Sequence, residues 1–261
     1  DKIAMPTAHP LTDTTDFAAA VTTLKHATRI AVLTGAGVSA ESGIPTFRDR
    51  LTGLWARYQP EYLISIAAFE REPDIVLRWH NWWREQIADK QPNAAHHALG
   101  QWQQQAQAAG KTLTLMSQNV DSLHEAAGAD VVKLHGTLAH EQCQNCGMVF
   151  EPSYIARMHL ATPATCPHCG GRLRPAIVWF GEMLPPEAWQ RAERACQHCD
   201  VLVSIGTSSV VYPAAGLIDI AKHHGATVIE INPTPTQTPA VDIVLAGKAG
   251  EVLPLLVNAL D

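Results

Sequence analysis

Short, nearly continuous apolar runs recur along the chain at Ile30–Leu33, Leu113–Met116, Val131–Leu134, Val201–Ile205, Val228–Ile231 and Ile243–Leu245. Runs of this length with many β-branched residues read as strands covered on both faces, the condition of a parallel sheet. Between most of them the spacing of apolar positions predicts helices, over Pro73–Ala88, Ala94–Ala109, Pro186–His198, Pro213–His224 and Gly250–Leu260. Asn93 is placed to cap the second of these, and Gly110 to stop it. Strands alternating with helices predict a doubly wound, Rossmann-like α/β fold.

One stretch, 139–174, lacks this rhythm and is expected to form a small inserted module. Residues 16–138 and 175–261 then make up the Rossmann-like domain, with a helical segment at about 60–110 assigned either to it or to the small module. Residues 1–15 carry two prolines and several Thr and Asp, and read as a flexible leader in which Asp1–Ala4 precede a native-looking Met5.

Charge and cysteine usage narrow the function classes. The chain has 261 residues and a formal net charge of −6, which gives no general attraction to nucleic acid or anionic lipid. No apolar stretch approaches the ~18 residues of a membrane span. All six cysteines fall in Cys-x-x-Cys pairs, a pattern that suits metal chemistry in a reducing compartment, so a cytoplasmic protein is expected. Cys143 and Cys146, with Cys166 and Cys169, lie nineteen residues apart, and each pair is followed by glycine. Four thiolates at this spacing predict one tetrahedral zinc ion in a structural role. Cys196 and Cys199 have no following glycine and run straight into Val201–Val203, so they read as free thiols where a helix meets a strand.

The first strand runs into Gly35-Ala36-Gly37-Val-Ser39-Ala40, the placement of a dinucleotide-binding turn with alanine at the third position of the fingerprint. Two features depart from a dehydrogenase. No acidic residue closes a second strand ~20 residues on, and the turn continues into a Gly/Pro-bounded loop carrying Phe47 and Arg48. His135 ends an apolar strand, where side chains of an α/β sheet face the ligand crevice, so it is either a general base or a hydrogen-bonded structural histidine. Asn119 and Asp121 follow another strand and are either helix N-caps or ligand contacts. Val178-Trp179-Phe180-Gly181-Glu182 is either a buried strand or an edge that takes up an extended peptide.

Read in order, Gly35 to Arg48, Gln118-Asn119-Val120-Asp121 with His124, Leu134-His135-Gly136, the two cysteine pairs, Arg174 to Glu182, Gly206-Thr207-Ser208 and Ile231-Asn232 resemble the signature of the sirtuins, NAD-dependent protein-lysine deacylases of bacterial type. The resemblance covers the chain from about Ala27 to its C-terminus. It implies that the substrate lies in a cleft between the large domain and a non-catalytic zinc module, and that His135 is the base that activates a ribose hydroxyl, with Asn119 assisting. It implies NAD contacts from Gly35, Ala36, Gly37, Ser39, Ala40, Phe47, Arg48, Gln118, Asn119, Asp121, Gly206, Thr207, Ser208 and Asn232. It further implies that Val178, Trp179, Phe180, Gly181 and Glu182 receive acyl-lysine peptides, with deacylated lysine, nicotinamide and O-acyl-ADP-ribose as products. ADP-ribosyl transfer to protein and non-catalytic NAD sensing are the alternatives. Sirtuins that remove acidic acyl groups place Tyr-x-x-Arg on the helix before Pro-Asn-Ala; here those substrate-side positions hold His80 and Trp83, which predicts deacetylation ahead of desuccinylation.

Overall fold

The computed structural model describes residues 11–46, 59–151 and 164–261. The strands in chain order are β1 Arg29–Thr34, β2 Thr112–Ser117, β3 Val131–Lys133, β4 Gly136–Cys143, β5 Val149–Phe150, β6 Leu173–Ile177, β7 Val201–Ile205, β8 Thr227–Ile231 and β9 Ile243–Leu245. Six of them, all predicted above, form one parallel sheet in the order β3-β2-β1-β7-β8-β9. β1 lies at the middle, with Val32 opposite Leu115 on one side and Val203 on the other. β1 leads outward to β2 while its other neighbour β7 leads the opposite way to β8, so the crevice at the carboxyl ends of β1 and β7 is a topological switch point, where such sheets bind ligands.

The apolar runs bury both faces because successive side chains alternate. Ile30 and Val32, with Leu113, Leu115, Val201 and Val203, pack against α1 Thr15–His26, α6 Ala94–Ala108 and α10 Ala249–Leu260. Ala31 and Leu33, with Met116, Leu202 and Val228, pack against α8 Pro186–His198 and α9 Gly216–His223. Cys196 and Cys199 belong to this second layer and are buried free thiols, and burial pushes the Cys199 thiol up to about 11. α9 starts later than Pro213 because residues 212–215 first close turns, with Gly216 N–H donating to the Pro213 carbonyl at 2.9 Å.

The strand β4 continues directly from the end of the large sheet and pairs antiparallel with β5 and β6. A third apolar cluster joins this small sheet to α3 Pro60–Leu63, α4 Ile66–Arg71 and α5 Pro73–Ile87: Leu138 and Ile177 meet Leu63, Phe69, Val76 and Trp79 around the fully buried Trp179. Asn93 caps α6 as predicted, its Oδ1 accepting from Ala95 and His96 N–H, while the His96 ring accepts in return from the Asn93 amide. No helix among the described residues is long and apolar enough to cross a membrane.

Candidate functional site

Two turns meet at the switch point with their backbones in contact. A Cβ at Gly35 would lie 2.8 Å from the Gly206 carbonyl oxygen, and one at Gly37 would lie 2.7 Å from it. Gly206 itself has φ +60 and leaves no room beside Val38. These glycines are therefore required first by turn-to-turn packing. The amides of Gly35, Gly37 and Val38 are already engaged, donating to Ile205, Gly206 and Gly35 carbonyls respectively. α2, Ala36–Ala40, follows at once, with Ser39 buried and Ala40 exposed.

Beneath this turn lies a buried polar network. Ser39 Oγ donates to Asp121 Oδ2 at 2.9 Å, and Asn119 Nδ2 donates to both Ser39 Oγ and the Gly35 carbonyl at 3.1 Å. Asn119 is not a helix cap. Asp121 serves two purposes, since its Oδ1 accepts from Leu123 N–H at 3.0 Å at the start of the short α7, Leu123–Ala126. His96 Nε2 reaches Ser39 at 3.4 Å, and His124 Nε2 reaches Thr34 Oγ1 at 3.0 Å, with Thr34 donating in turn to Ser117. Burial lowers both histidines, His96 to about 4 and His124 to about 3, so neither adds charge beside Asp121 at neutral pH. His96, Thr34 and Ser117 were given no role by the sequence reading. The signal for His96 was its place three residues after Asn93, the capping-box spacing.

Gln118, Thr207 and Asn232 come together from three strands. Gln118 Nε2 donates to Thr207 Oγ1 at 3.0 Å, and Asn232 Nδ2 donates to the Thr207 carbonyl at 2.9 Å. Ser208 follows, half-buried. Beside them His135 Nδ1 meets the Gln118 carbonyl at 2.9 Å. A carbonyl can only accept, so Nδ1 carries the proton and Nε2 keeps its lone pair. Burial lowers the pKa of this imidazole from its ordinary value, opposed by that hydrogen bond, so the neutral base form predominates at pH 7. Gly136, next in the chain, has φ +73, and a Cβ there would lie 2.2 Å from the Ala176 carbonyl oxygen. Only glycine lets β4 leave His135 in this direction.

Val178 N–H donates to the His135 carbonyl at 2.9 Å, and Phe180 N–H to the Ile64 carbonyl at 2.8 Å. Phe180 and Met183 are exposed, while Trp179 is buried. Glu182 accepts from the Trp179 amide at 2.7 Å and forms a close ion pair with the buried Arg174. The available sequence signal for Arg174 is a charged residue set between Leu173 and Pro175-Ala176-Ile177. His80, expected on the substrate side, is completely buried with both ring nitrogens engaged, so it does not reach a substrate itself. Trp83 stacks on Trp79 with centroids 6.2 Å apart. Arg84 binds Glu141 at 2.6 Å and the Leu138 carbonyl at 2.8 Å. It borders an open cavity of about 570 Å³ with Ile87, Val120, Leu123 and Leu138. Phe47 and Arg48 lie outside the described residues, as does most of the expected leader, residues 1–10.

The ligand atoms of Cys143, Cys146, Cys166 and Cys169 all lie within 4.8 Å of one another, with Sγ pairs at 3.5 Å and 3.8 Å. A tetrahedron with metal–sulfur bonds of ~2.3 Å has edges of about 3.8 Å, so four thiolates here could hold a metal ion. Gly147 and Gly170 take the positive φ, +70 and +72, that turns each loop back on its cysteines.

Comparison with known proteins follows the same outline. The model of the Sir2 family matches residues 35–213. The chain is 46% identical over 252 residues to "NAD-dependent protein deacylase 1" of Pseudomonas aeruginosa, covering 92% of this chain and 97% of that one. It is similar to a crystal structure of a Sir2 homolog–NAD complex, with TM-score 0.82 and 44% identity over 92% of both chains. It also resembles Sir2Af2 bound to a myristoylated histone peptide, with TM-score 0.73 and 33% identity over 94% of this chain and 96% of that one.

Proposed function

The chain belongs to the Sir2 family, and from its site we infer an NAD-dependent protein-lysine deacylase that uses His135 as its base. The observation that carries this reading is the His135 tautomer. Nδ1–H is held by the Gln118 carbonyl, which leaves Nε2 unprotonated at the edge where Asn119, Asp121, Thr207 and Asn232 converge. Bound NAD supplies the ribose carbon that takes the acyl oxygen as nicotinamide departs. Gln118, Thr207 and Asn232 offer hydroxyl and amide groups for the ribose and phosphate portions, and the Asn119–Ser39–Asp121 cluster offers an amide and a carboxylate to the nicotinamide carboxamide. His135 Nε2 then accepts the proton of a ribose hydroxyl, so that this oxygen can attack the acyl carbon.

The cysteine cluster suits zinc in a closed, four-thiolate structural site. Acyl-lysine peptides are assigned to Val178–Glu182; one relative is named a protein deacylase, and Sir2Af2 is bound to a myristoylated histone peptide. The preferred acyl group is acetyl or another uncharged acyl group. A succinyl carboxylate needs a cation in the pocket, yet His80 is buried and neutral, Trp83 is apolar, and the neighbouring Arg84 is taken by Glu141 and two backbone carbonyls. Incubation with NAD and acyl-lysine peptides, followed by mass spectrometry, tests the reading. O-acyl-ADP-ribose and free lysine are expected; ADP-ribose retained on protein, or no reaction, would overturn it.

A further inference from the structure

His80 stands where the sequence places a substrate contact, but its surroundings give it a different task. Its Nδ1 meets the Val76 carbonyl of the preceding helical turn at 2.8 Å and must donate there. Nε2 therefore holds a lone pair, and the Trp179 indole N–H donates to it at 3.3 Å. Both residues are almost completely shielded from water, at 0% and 1% exposure, so neither group has solvent to replace its partner. Burial holds the imidazole down to about 3, which preserves the acceptor across the working pH range.

Trp179 is gripped from two further directions. Its ring lies under the Arg174 guanidinium, 4.1 Å from carbon Cζ to the centroid, and its amide donates to Glu182, which also binds Arg174. The amides on either side of it run elsewhere, Val178 to the His135 carbonyl and Phe180 to Ile64. The indole is thus the point at which α5 fixes a segment that touches the base on one side and presents the exposed Phe180 on the other.

We propose that His80 is a positioning residue for peptide substrate: by accepting the Trp179 indole N–H it sets the backbone course of Val178–Glu182, and so the affinity for the acyl-lysine peptide. The proposal rests on the reading that this segment receives the peptide. His80→Phe leaves a buried indole N–H unpaired, and Trp179→Phe leaves a buried imidazole nitrogen unpaired.

Peptide affinity by fluorescence anisotropy and steady-state kinetics, on the full chain, test it. Each variant is expected to raise the Kd and KM for acetyl-lysine peptide about ten-fold, equivalent to ~1.4 kcal/mol, while kcat and the KM for NAD stay within about two-fold. His80→Gln, whose amide oxygen can accept from the indole, should recover most of the affinity. The double variant, which removes donor and acceptor together, should lose less than the product of the single losses. An unchanged peptide Kd in a folded His80→Phe protein, or parallel rises for peptide and NAD, would overturn the proposal. Should that variant not fold, an unchanged peptide Kd in Trp179→Phe overturns it equally. A wild-type protein that neither binds acetyl-lysine peptide nor shows NAD-dependent deacylation would remove the underlying reading, and the proposal with it.

Discussion

At the scale of single residues, the site depends on which atom of each side chain is already occupied. His135 holds its proton on Nδ1 against Gln118, so replacing it by alanine removes the proposed base and one hydrogen bond to a backbone carbonyl. His135→Ala is expected to lower the deacylation rate by ~10²–10⁴ with NAD affinity, measured by calorimetry, kept within a few-fold. Because burial lowers its pKa, the acidic limb of the kcat/KM profile should fall below the ordinary imidazole value of 6.5; a limb above it would contradict the environment described. Acyl selectivity also follows from occupied atoms. With Arg84 held by Glu141 and backbone carbonyls, kcat/KM on an acetyl-lysine peptide should exceed that on its succinyl counterpart by more than ten-fold, and equal values would mean another cation serves the pocket. The sequence could nominate His135 because a histidine at a strand end has a position. It could not reveal the task of His80, because that depends on Trp179, far along the chain, and on a tautomer fixed by Val76.

At the scale of elements, the six parallel strands were legible because each is a dense apolar run, buried almost throughout in the four central strands and partly exposed in the edge strands β3 and β9. The small sheet of β4, β5 and β6 was not. β4, though eight residues long, is only partly buried and its register shifts between Gly136 and Glu141, β5 has two residues, and the turns follow the cysteines more than any periodicity. Cys143 both ends β4 and belongs to the thiol cluster, so metal binding and pairing are coupled there. Metal analysis of the native protein is expected to give one zinc per chain. Cys143→Ala should lose that zinc and increase amide exchange in β4–β6, while the parallel sheet stays protected. Full zinc content in this variant, or loss confined to a Cys196→Ala, Cys199→Ala protein, would sink the assignment. The glycine turn has a reason that no local pattern displays: a Cβ at Gly35 or Gly37 would clash with the neighbouring turn at Gly206.

At the scale of the whole molecule, three fully or almost fully buried histidines link stability to pH. Burial lowers His80 and His124 to about 3 and His96 to about 4. In the unfolded chain each takes its proton near 6.5, so from that pH downward the unfolded state binds more protons and stability falls. Each histidine contributes a slope of about 1.4 kcal/mol per pH unit until its folded value is reached. Urea denaturation at pH 7, 6 and 5 should show the midpoint falling steeply below pH 6.5, and a flat profile would contradict the burial of these groups. The parallel sheet also fixes an order of events. Ile30 pairs with Leu113 on one side and Val201 on the other, so the central strand takes one partner from the middle of the chain and the other from its last third. During synthesis from the N-terminus, β1 can meet β2 early but keeps an open hydrogen-bonding edge until the chain beyond the cysteine module has emerged. Nascent chains halted before Val201 therefore present an adhesive strand, and the interval before β7 arrives is when this protein most needs a chaperone.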